Sequence, residues 1–370
     1  MIFDKLTKLL VHVIILEIKA RVAELVDAHD SKSCSFGSES SILSSGTMEL
    51  YYDLLISIGI TATAFPAVIL LFHRLQDKKS WEYKHKKLSL IYSLVLLFGT
   101  TILLYGSFVE PRLLVTNEQT IDLPNIDEPI TIAFVADFQV GPYKKTGHIQ
   151  KVVHTILAND PDIVLIGGDQ VDNFTIEKDE TIYLTPLVQL AKQIPTYAVH
   201  GNHEYGVGGG KSIEDARYRT SDVSEQTKKA LEKLGITYMT NDLALVTSTP
   251  SPIYLFGGDS WWAGKLDFAI LKKREYTDIP SIALIHNPAA AWRTSDHNID
   301  LMLSGHTHGG QIRLPFIGPV GRIDEITPPE WYQGLNKQNG MKLFVTSGTG
   351  ETGTRARLFN PPEVVILTIK

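Results

Sequence analysis

The sequence predicts an α/β domain preceded by two membrane-spanning helices. Three observations carry this reading. Five apolar, strand-like runs each end in a turn bearing a side chain able to bind a metal. The last of these turns is Gly305-His306-Thr307-His308-Gly309-Gly310-Gln311, two imidazoles one residue apart among glycines. Upstream, residues 54–72 and 88–109 contain no charged residue. A chain of 370 residues, 44% hydrophobic and 21% charged, suffices for one large domain with appendages. The net charge of −6 and pI near 6.1 give no basic face, so no nucleic-acid partner is expected.

Residues 1–47 read poorly as protein. Back-translated with permitted codons, residues 29–34 and 39–44 each become a stem, a loop and a complementary stem, the second resembling a tRNA T-arm. Residues 21–28 resemble the preceding acceptor and D-arm of a leucine tRNA gene, and Gly46-Thr47-Met48 can encode a terminal CCA. Met48 is therefore read as the start, with 1–47 set aside from fold reasoning. The rival reading makes residues 9–16 a short signal-like apolar core, cut off by Glu17 and Lys19, with Cys34 as the only thiol of the chain.

Residues 48–109 form the expected anchor. Each uncharged segment is long enough to cross a hydrocarbon core at 1.5 Å per residue. Pro66 in the first would break a soluble helix but is tolerated in lipid. Tyr51 and Tyr52 mark the entry of the first span, and Trp81 lies in the connection. That connection, residues 73–87, carries Arg74, Lys78, Lys79, Lys84, Lys86 and Lys87 against Asp77 and Glu82. The positive-inside rule places it in the cytoplasm and both flanks outside. The absence of Cys from Met48 onward is compatible with an oxidising compartment without requiring one.

The domain over 110–370 is then built from strand–turn units. Residues 130–136 end in Asp137, and residues 163–166 lead through Gly167-Gly168 to Asp169, with Asp172 just beyond. Residues 196–199 run into His200-Gly201-Asn202-His203-Glu204, residues 281–285 into His286-Asn287-Pro288, and residues 299–304 into the His306/His308 turn. Singly, an Asp after a strand is a turn former or cap, and a lone His is structural. In open α/β sheets, ligands gather at the carboxyl ends of strands, so five such turns converge on one edge.

This series, D-x-[H], G-D-x-x-D, G-N-H-[ED], a lone H and G-H-x-H, resembles the calcineurin-like metallophosphoesterase superfamily. It is similar to the bacterial membrane-associated branch whose last motif reads GHTHGGQ, over 130–370, and it includes Val345-Thr346-Ser347-Gly348-Thr349-Gly350 and Asn360-Pro361-Pro362-Glu363. The resemblance implies a four-layer αββα sandwich and two divalent ions. Asp137 and His308 would hold the first, Asp169 would bridge both, and Asn202, His286 and His306 would complete the second. Carboxylate, amide and imidazole donors suit Mn, Fe, Zn or Mg-type ions. His203 would act as the acid toward the leaving oxygen, with Asp172 orienting its ring or, alternatively, only capping a helix.

One position departs from the pattern. The first motif reads Asp137-Phe138-Gln139, where the family has His. Either Gln139 replaces His as a weaker ligand, the reading favoured by the other intact motifs, or the site is degenerate and the protein a non-catalytic metal-binding module. The resemblance otherwise implies a hydrolase of phosphoester or pyrophosphate bonds, and the two spans with their basic connection anchor it in a bacterial inner membrane with its site on the periplasmic side. The substrate would be a phosphorylated small molecule or a lipid. The resembling branch includes UDP-diacylglucosamine pyrophosphatases, whose reaction belongs to the cytoplasmic leaflet and conflicts with this topology. Arg313, Arg355 and Arg357 lie near motif turns, as phosphate contacts or as ordinary surface charges. Trp261-Trp262 would meet lipid or substrate, or pack in the core. Residues 205–224 form a lid or a plain surface loop.

Overall fold

The central strands of this chain are short and apolar on both faces, which a sheet covered on both sides requires. In the computed structural model, which describes residues 45–173, 179–322 and 326–370, they form two six-stranded sheets. The first has the order β1(Val115–Ile121), β14(Glu363–Ile369), β2(Ile130–Val135), β3(Ile163–Ile166), β4(Thr196–Ala198), β5(Thr237–Tyr238). Its β2–β5 run parallel, and β14 pairs antiparallel to β2. The second has the order β12(Gly334–Gln338), β13(Met341–Val345), β9(Leu301–Ser304), β8(Ser281–Leu284), β7(Ile253–Gly257), β6(Asp242–Val246), parallel from β13 to β7.

Side-chain alternation splits the core into layers. Ile132 and Phe134 of β2 face Leu284 and Leu303 of the second sheet, while Ala133 and Val135 face the other way. There they meet Ile149, Val152, Val153 and Ile156 of α3(Thr146–Leu157), an i, i+3, i+4, i+7 stripe. The outer face of the second sheet is covered by short helical turns over Pro288–Ala290 and Ala291–Thr294 and by Trp331. The four-layer αββα architecture is thus present, its second helical layer reduced to turns.

The two apolar segments are helices α1(Ser45–Gln76) and α2(Lys86–Leu104), the latter extended by a π turn over Tyr105–Val109. Helix α1 runs on through Pro66 and past Phe72, the end of the expected first span. Their burial is inverted relative to a soluble helix pair. Ala67, Ser89, Ser93 and Thr100 are buried, while Ile58, Ile91, Leu94, Val95 and Phe98 are exposed. Thr100 Oγ1 donates to Thr63 Oγ1 at 2.8 Å, Ser89 Oγ to Leu70 O at 3.1 Å, and Gly59 lets Leu103 approach. Small and polar contacts inside with aliphatic side chains outside are how helices pack in lipid. Both helices are long and apolar enough to cross a membrane. Of the expectations for residues 1–47, those on 1–44 lie outside the described residues; α1 begins at Ser45.

The foot of α2 is fastened to the domain. Glu110, almost fully buried, accepts hydrogen bonds from Phe359 N at 3.0 Å and from Asn360 N, and Arg357 N donates to Gly106 O at 2.9 Å.

Candidate metal centre

The carboxyl ends of β2, β3, β4, β8 and β9 meet at one edge of the sandwich and deliver the five expected turns to one place. The turns are tight enough to force unusual backbone. Asp137, Gln139, Asp169, His306 and His308 all have positive φ, between 46° and 72°. Left-handed backbone away from glycine costs energy and concentrates at functional sites. Gly201 permits the closest approach, since a Cβ there would lie 2.0 Å from Asp169 Oδ1, and one at Gly305 would lie 2.5 Å from Asp137 Oδ2.

Two overlapping groups of side chains result. In the first, His308 Nε2 lies 3.6 Å from Asp137 Oδ1, and Gln139 Nε2 donates to Asp169 Oδ2 at 3.1 Å. In the second, His286 Nε2 lies 3.0 Å from Asp169 Oδ2 and His306 Nδ1 lies 2.9 Å from Asn202 Oδ1. Donor atoms of Asp169, His286 and His306 all fall within 4.8 Å of one another. All seven residues expected to bind metal are buried and assembled here.

The hydrogen bonds around the rings show what this group requires. His286 Nδ1 donates to the Gly167 carbonyl at 2.7 Å. Because a carbonyl only accepts, Nδ1 carries the proton, and Nε2 turns its lone pair toward carboxylate oxygen. Lone pair against carboxylate at 3.0 Å needs a positive charge between them. His308 repeats the pattern, with Nδ1 3.3 Å from Gly350 O and Nε2 without a hydrogen bond among the described residues. Gln139 Oε1 is likewise buried with no such bond. Backbone acceptors that orient a ligating imidazole are the usual support of a metal site.

The electrostatics agree. Burial, with the Asp169 charge adding to it, pushes Asp137 up to about 7. Against its own burial, Asp169 is held below the ordinary carboxylate range by His286 and His203. Burial pulls down both His306, far below its ordinary value, and His308, to about 3, leaving both neutral, the form that coordinates. Burial opposes a charge on His286 too, yet Asp169 raises it to about 9, so a proton stands where a cation fits.

His203 sits beside this group. Its Nδ1 donates to the main-chain carbonyl of Asp172 at 2.8 Å, and its Nε2 lies 3.8 Å from Asp169 Oδ2. The carboxylate of Asp172 stays 3.9 Å from Nδ1, so it is the backbone of Asp172 that fixes the ring. Residues 205–224 wall a cavity of about 250 Å³ against His203 and Asp172, with Lys211 and Tyr218 among its lining.

Other side chains fall differently from expectation. Arg357 is fully buried and donates to the carbonyls of Ser347, Gly350 and Asn360, so it organises the loop instead of meeting phosphate. Arg313 donates to Gly309 O at 2.7 Å, and Arg355 lies over the Tyr143 ring. Trp262 is buried edge-on against His306, a packing role.

Sequence reasoning passed over Glu204. Its buried carboxylate accepts from Gly201 N and Gln170 N at 2.7 Å and from Asp169 N and Val171 N at 3.3 Å, lacing the second turn to the third. Burial raises its pKa to about 7. The signal was an acid directly after the Asn-His pair. Asn360 was also missed in this role: its Nδ2 donates to His308 O.

Known proteins are similar to this chain over the segment that carries these turns. The calcineurin-like phosphoesterase family profile matches residues 130–310. The metallophosphoesterase YkuE of Bacillus subtilis is 29% identical over 273 residues, 72% of this chain and 89% of that one. The phosphodiesterase YaeI of Escherichia coli is 28% identical, over 65% of this chain and 82% of its own. The metallophosphoesterase Cj0846 of Campylobacter jejuni is 30% identical, over 76% and 71% respectively. The chain belongs to the calcineurin-like metallophosphoesterases, a family of hydrolases that use divalent metals.

Proposed function

We propose that this protein is a membrane-anchored phosphohydrolase with a binuclear centre, cleaving a phosphoester or pyrophosphate bond of a lipid-linked or periplasmic substrate. The carrying observation is the convergence of two buried carboxylates with three imidazoles, of which His286 and His308 turn Nε2 toward carboxylate oxygen and His306 meets the Asn202 amide oxygen. Asp137, Gln139, His308 and Asp169 would hold one ion, and Asp169, Asn202, His286 and His306 the other. Divalent ions here would neutralise the phosphoryl oxygens and supply a water-derived nucleophile at neutral pH.

The remaining work falls to side chains. With Nδ1–H committed to Asp172 O, His203 exchanges protons through Nε2, which faces the centre. It is placed to hand that proton to the leaving oxygen, and the adjoining cavity receives the leaving group. A scaffold has no use for such a group, and no relative favours the non-catalytic alternative.

The inverted burial of α1 and α2 supports the anchor. A ribbon of β10(Arg313–Leu314) and β11(Gly318–Pro319), leading directly from the His308 turn, exposes Phe316, Ile317 and Val320 and supports a bilayer close to the site. The basic connection between the helices supports a periplasmic domain. A lipid-linked phosphate or pyrophosphate is the substrate favoured by this placement, with a soluble phosphorylated metabolite as the alternative.

The test is hydrolysis of bis-p-nitrophenyl phosphate by the detergent-solubilised full chain. Activity should vanish in chelator and return with Mn or Co; undiminished turnover after exhaustive chelation would refute the mechanism. Alkaline phosphatase fused after Thr120 should be active in a bacterial host, and a fusion at Lys79 inactive; the opposite pattern would put the domain in the cytoplasm.

A further inference from the structure

A second cavity, of about 370 Å³, opens where the anchor meets the phosphoesterase domain. Ser107, Pro111 and Arg112 bound it from the foot of α2, and the first turn of α3 and the loop around Glu351 bound it from the domain. Five cations line it, Arg112, Lys144, Lys145, Lys151 and Arg355, against one carboxylate, Glu351. Lys144 is matched by Glu351 at 3.0 Å and bridges the junction by donating to Pro111 O at 2.7 Å. Arg355 lies 3.6 Å from Asp53 of α1. Arg112, Lys145 and Lys151 have no ion pair among the described residues and leave the cavity positive.

Helix α3 adds a second attraction. No side chain caps its N-terminus, and a Cβ at Gly147 would meet nothing within 4 Å, so the Thr146 and Gly147 N–H groups lie open at the cavity wall, while His148 N bonds to Lys145 O. Unsatisfied helix N–H groups beside surplus lysines and an arginine make a site for phosphate. Its position selects the source of that phosphate. Phe108, Val109 and Leu113 expose apolar side chains at the same end of α2, so apolar surface adjoins the basic cavity in the order in which a lipid presents acyl chain and headgroup.

We propose that this cavity binds the phosphodiester headgroup of an anionic phospholipid, separately from the metal centre. The proposal rests on α1 and α2 lying in a bilayer. A bound headgroup would also brace the loop that serves the metal centre, because Gly350, next to Glu351, accepts from both Arg357 and His308.

The test uses the full chain in dodecyl maltoside, titrated with dihexanoyl phosphatidylglycerol, dihexanoyl phosphatidylcholine or inorganic phosphate, with binding read from thermal unfolding. The glycerol lipid should stabilise the wild type well beyond the other two. Lys145→Gln with Lys151→Gln should weaken that binding about 30-fold, from roughly 1 kcal/mol per cation. Gly147→Asp is the second variant. It replaces a helix glycine and puts an acid at the positive end of α3, so the protein itself should melt no lower, yet lose headgroup binding.

Equal stabilisation by inorganic phosphate would make this a free-phosphate site and overturn the lipid assignment. Binding unchanged in both variants would place it at the metal centre or the micelle and overturn the site. Carbonate extraction reads the anchor independently. A chain that stays in the membrane pellet but shows no charge-dependent headgroup binding refutes the cavity alone, and a chain released by carbonate refutes the anchor.

Discussion

Replacing Glu204 with Ala should damage the centre without touching a proposed ligand. The carboxylate accepts from four backbone N–H groups, two at 2.7 Å and two at 3.3 Å, all in turns that carry Asp169 or Asn202. The site is buried, so water does not replace the lost acceptors. Counting only the two short bonds at about 1–3 kcal/mol per orphaned donor gives a loss near 4 kcal/mol. At ~2–4 °C per kcal/mol for a domain of this size, the melting point should fall by roughly 10 °C. Asp169 loses its backbone support, so metal content measured on the purified protein should fall too. Glu204→Gln keeps one acceptor oxygen and turns an N–H toward another N–H, so it should fall between. An alanine variant that melts within ~2 °C of wild type with full metal content would show that these bonds do not hold the site.

Three further outcomes are expected. Asp169→Asn should remove metal and rate together, whereas His203→Ala should keep metal while kcat falls by roughly 10²–10⁴; loss of metal from the His203 variant would make it a ligand. Gln139→His should lower the half-saturating Mn concentration and Gln139→Ala should raise it, since imidazole outranks amide as a donor; three equal affinities would remove Gln139 from the ligand set. His200 is held down to about 3 by burial, from 6.5. A base depressed in the folded state stabilises it above its unfolded pKa, and that stability drains away as pH falls from 6.5 toward 3. The loss between about pH 7.5 and pH 5.5 should be about 1.4 kcal/mol, and His200→Gln should flatten it. A variant as acid-sensitive as wild type would locate the titration elsewhere.

What was legible in the sequence follows from how such sites are built. A strand buried on both faces is a run of aliphatic residues, and the turn after it lies at a fixed sheet edge, so Asp137, Asp169, His286, His306 and His308 could be placed from order alone. The outer faces were less visible. The layer over the second sheet is made of short turns such as Pro288–Ala290, which have no helical period to detect. Glu204 and Arg357 escaped because their roles are toward backbone. A side chain that binds main-chain groups from distant turns leaves no pattern of residue types, and Arg357 reads as a surface cation until its burial is known. Asp172 shows the same limit, since its main chain accepts from the His203 ring at 2.8 Å while its carboxylate lies 3.9 Å away.

The loop from Ser347 to Asn360 links the foot of α2 to the centre. Arg357 gathers the carbonyls of Ser347, Gly350 and Asn360 around one buried guanidinium, and Glu351, 3.7 Å from its Nε, balances the charge. The same loop is fixed from below by Glu110 through Phe359 N and Asn360 N, and it reaches the centre where Asn360 Nδ2 holds His308 O. Asn360 alone therefore stands between Glu110, at the foot of α2, and His308, a proposed ligand, joined to both by buried hydrogen bonds. A guanidinium that loses even one carbonyl in such a setting stays charged and desolvated, which resists small displacements of the loop. Helix α2 is in this sense part of the support of the proposed metal centre. A domain cut free upstream of Val115 would lose Glu110 and with it the bonds that fix the loop beneath His308.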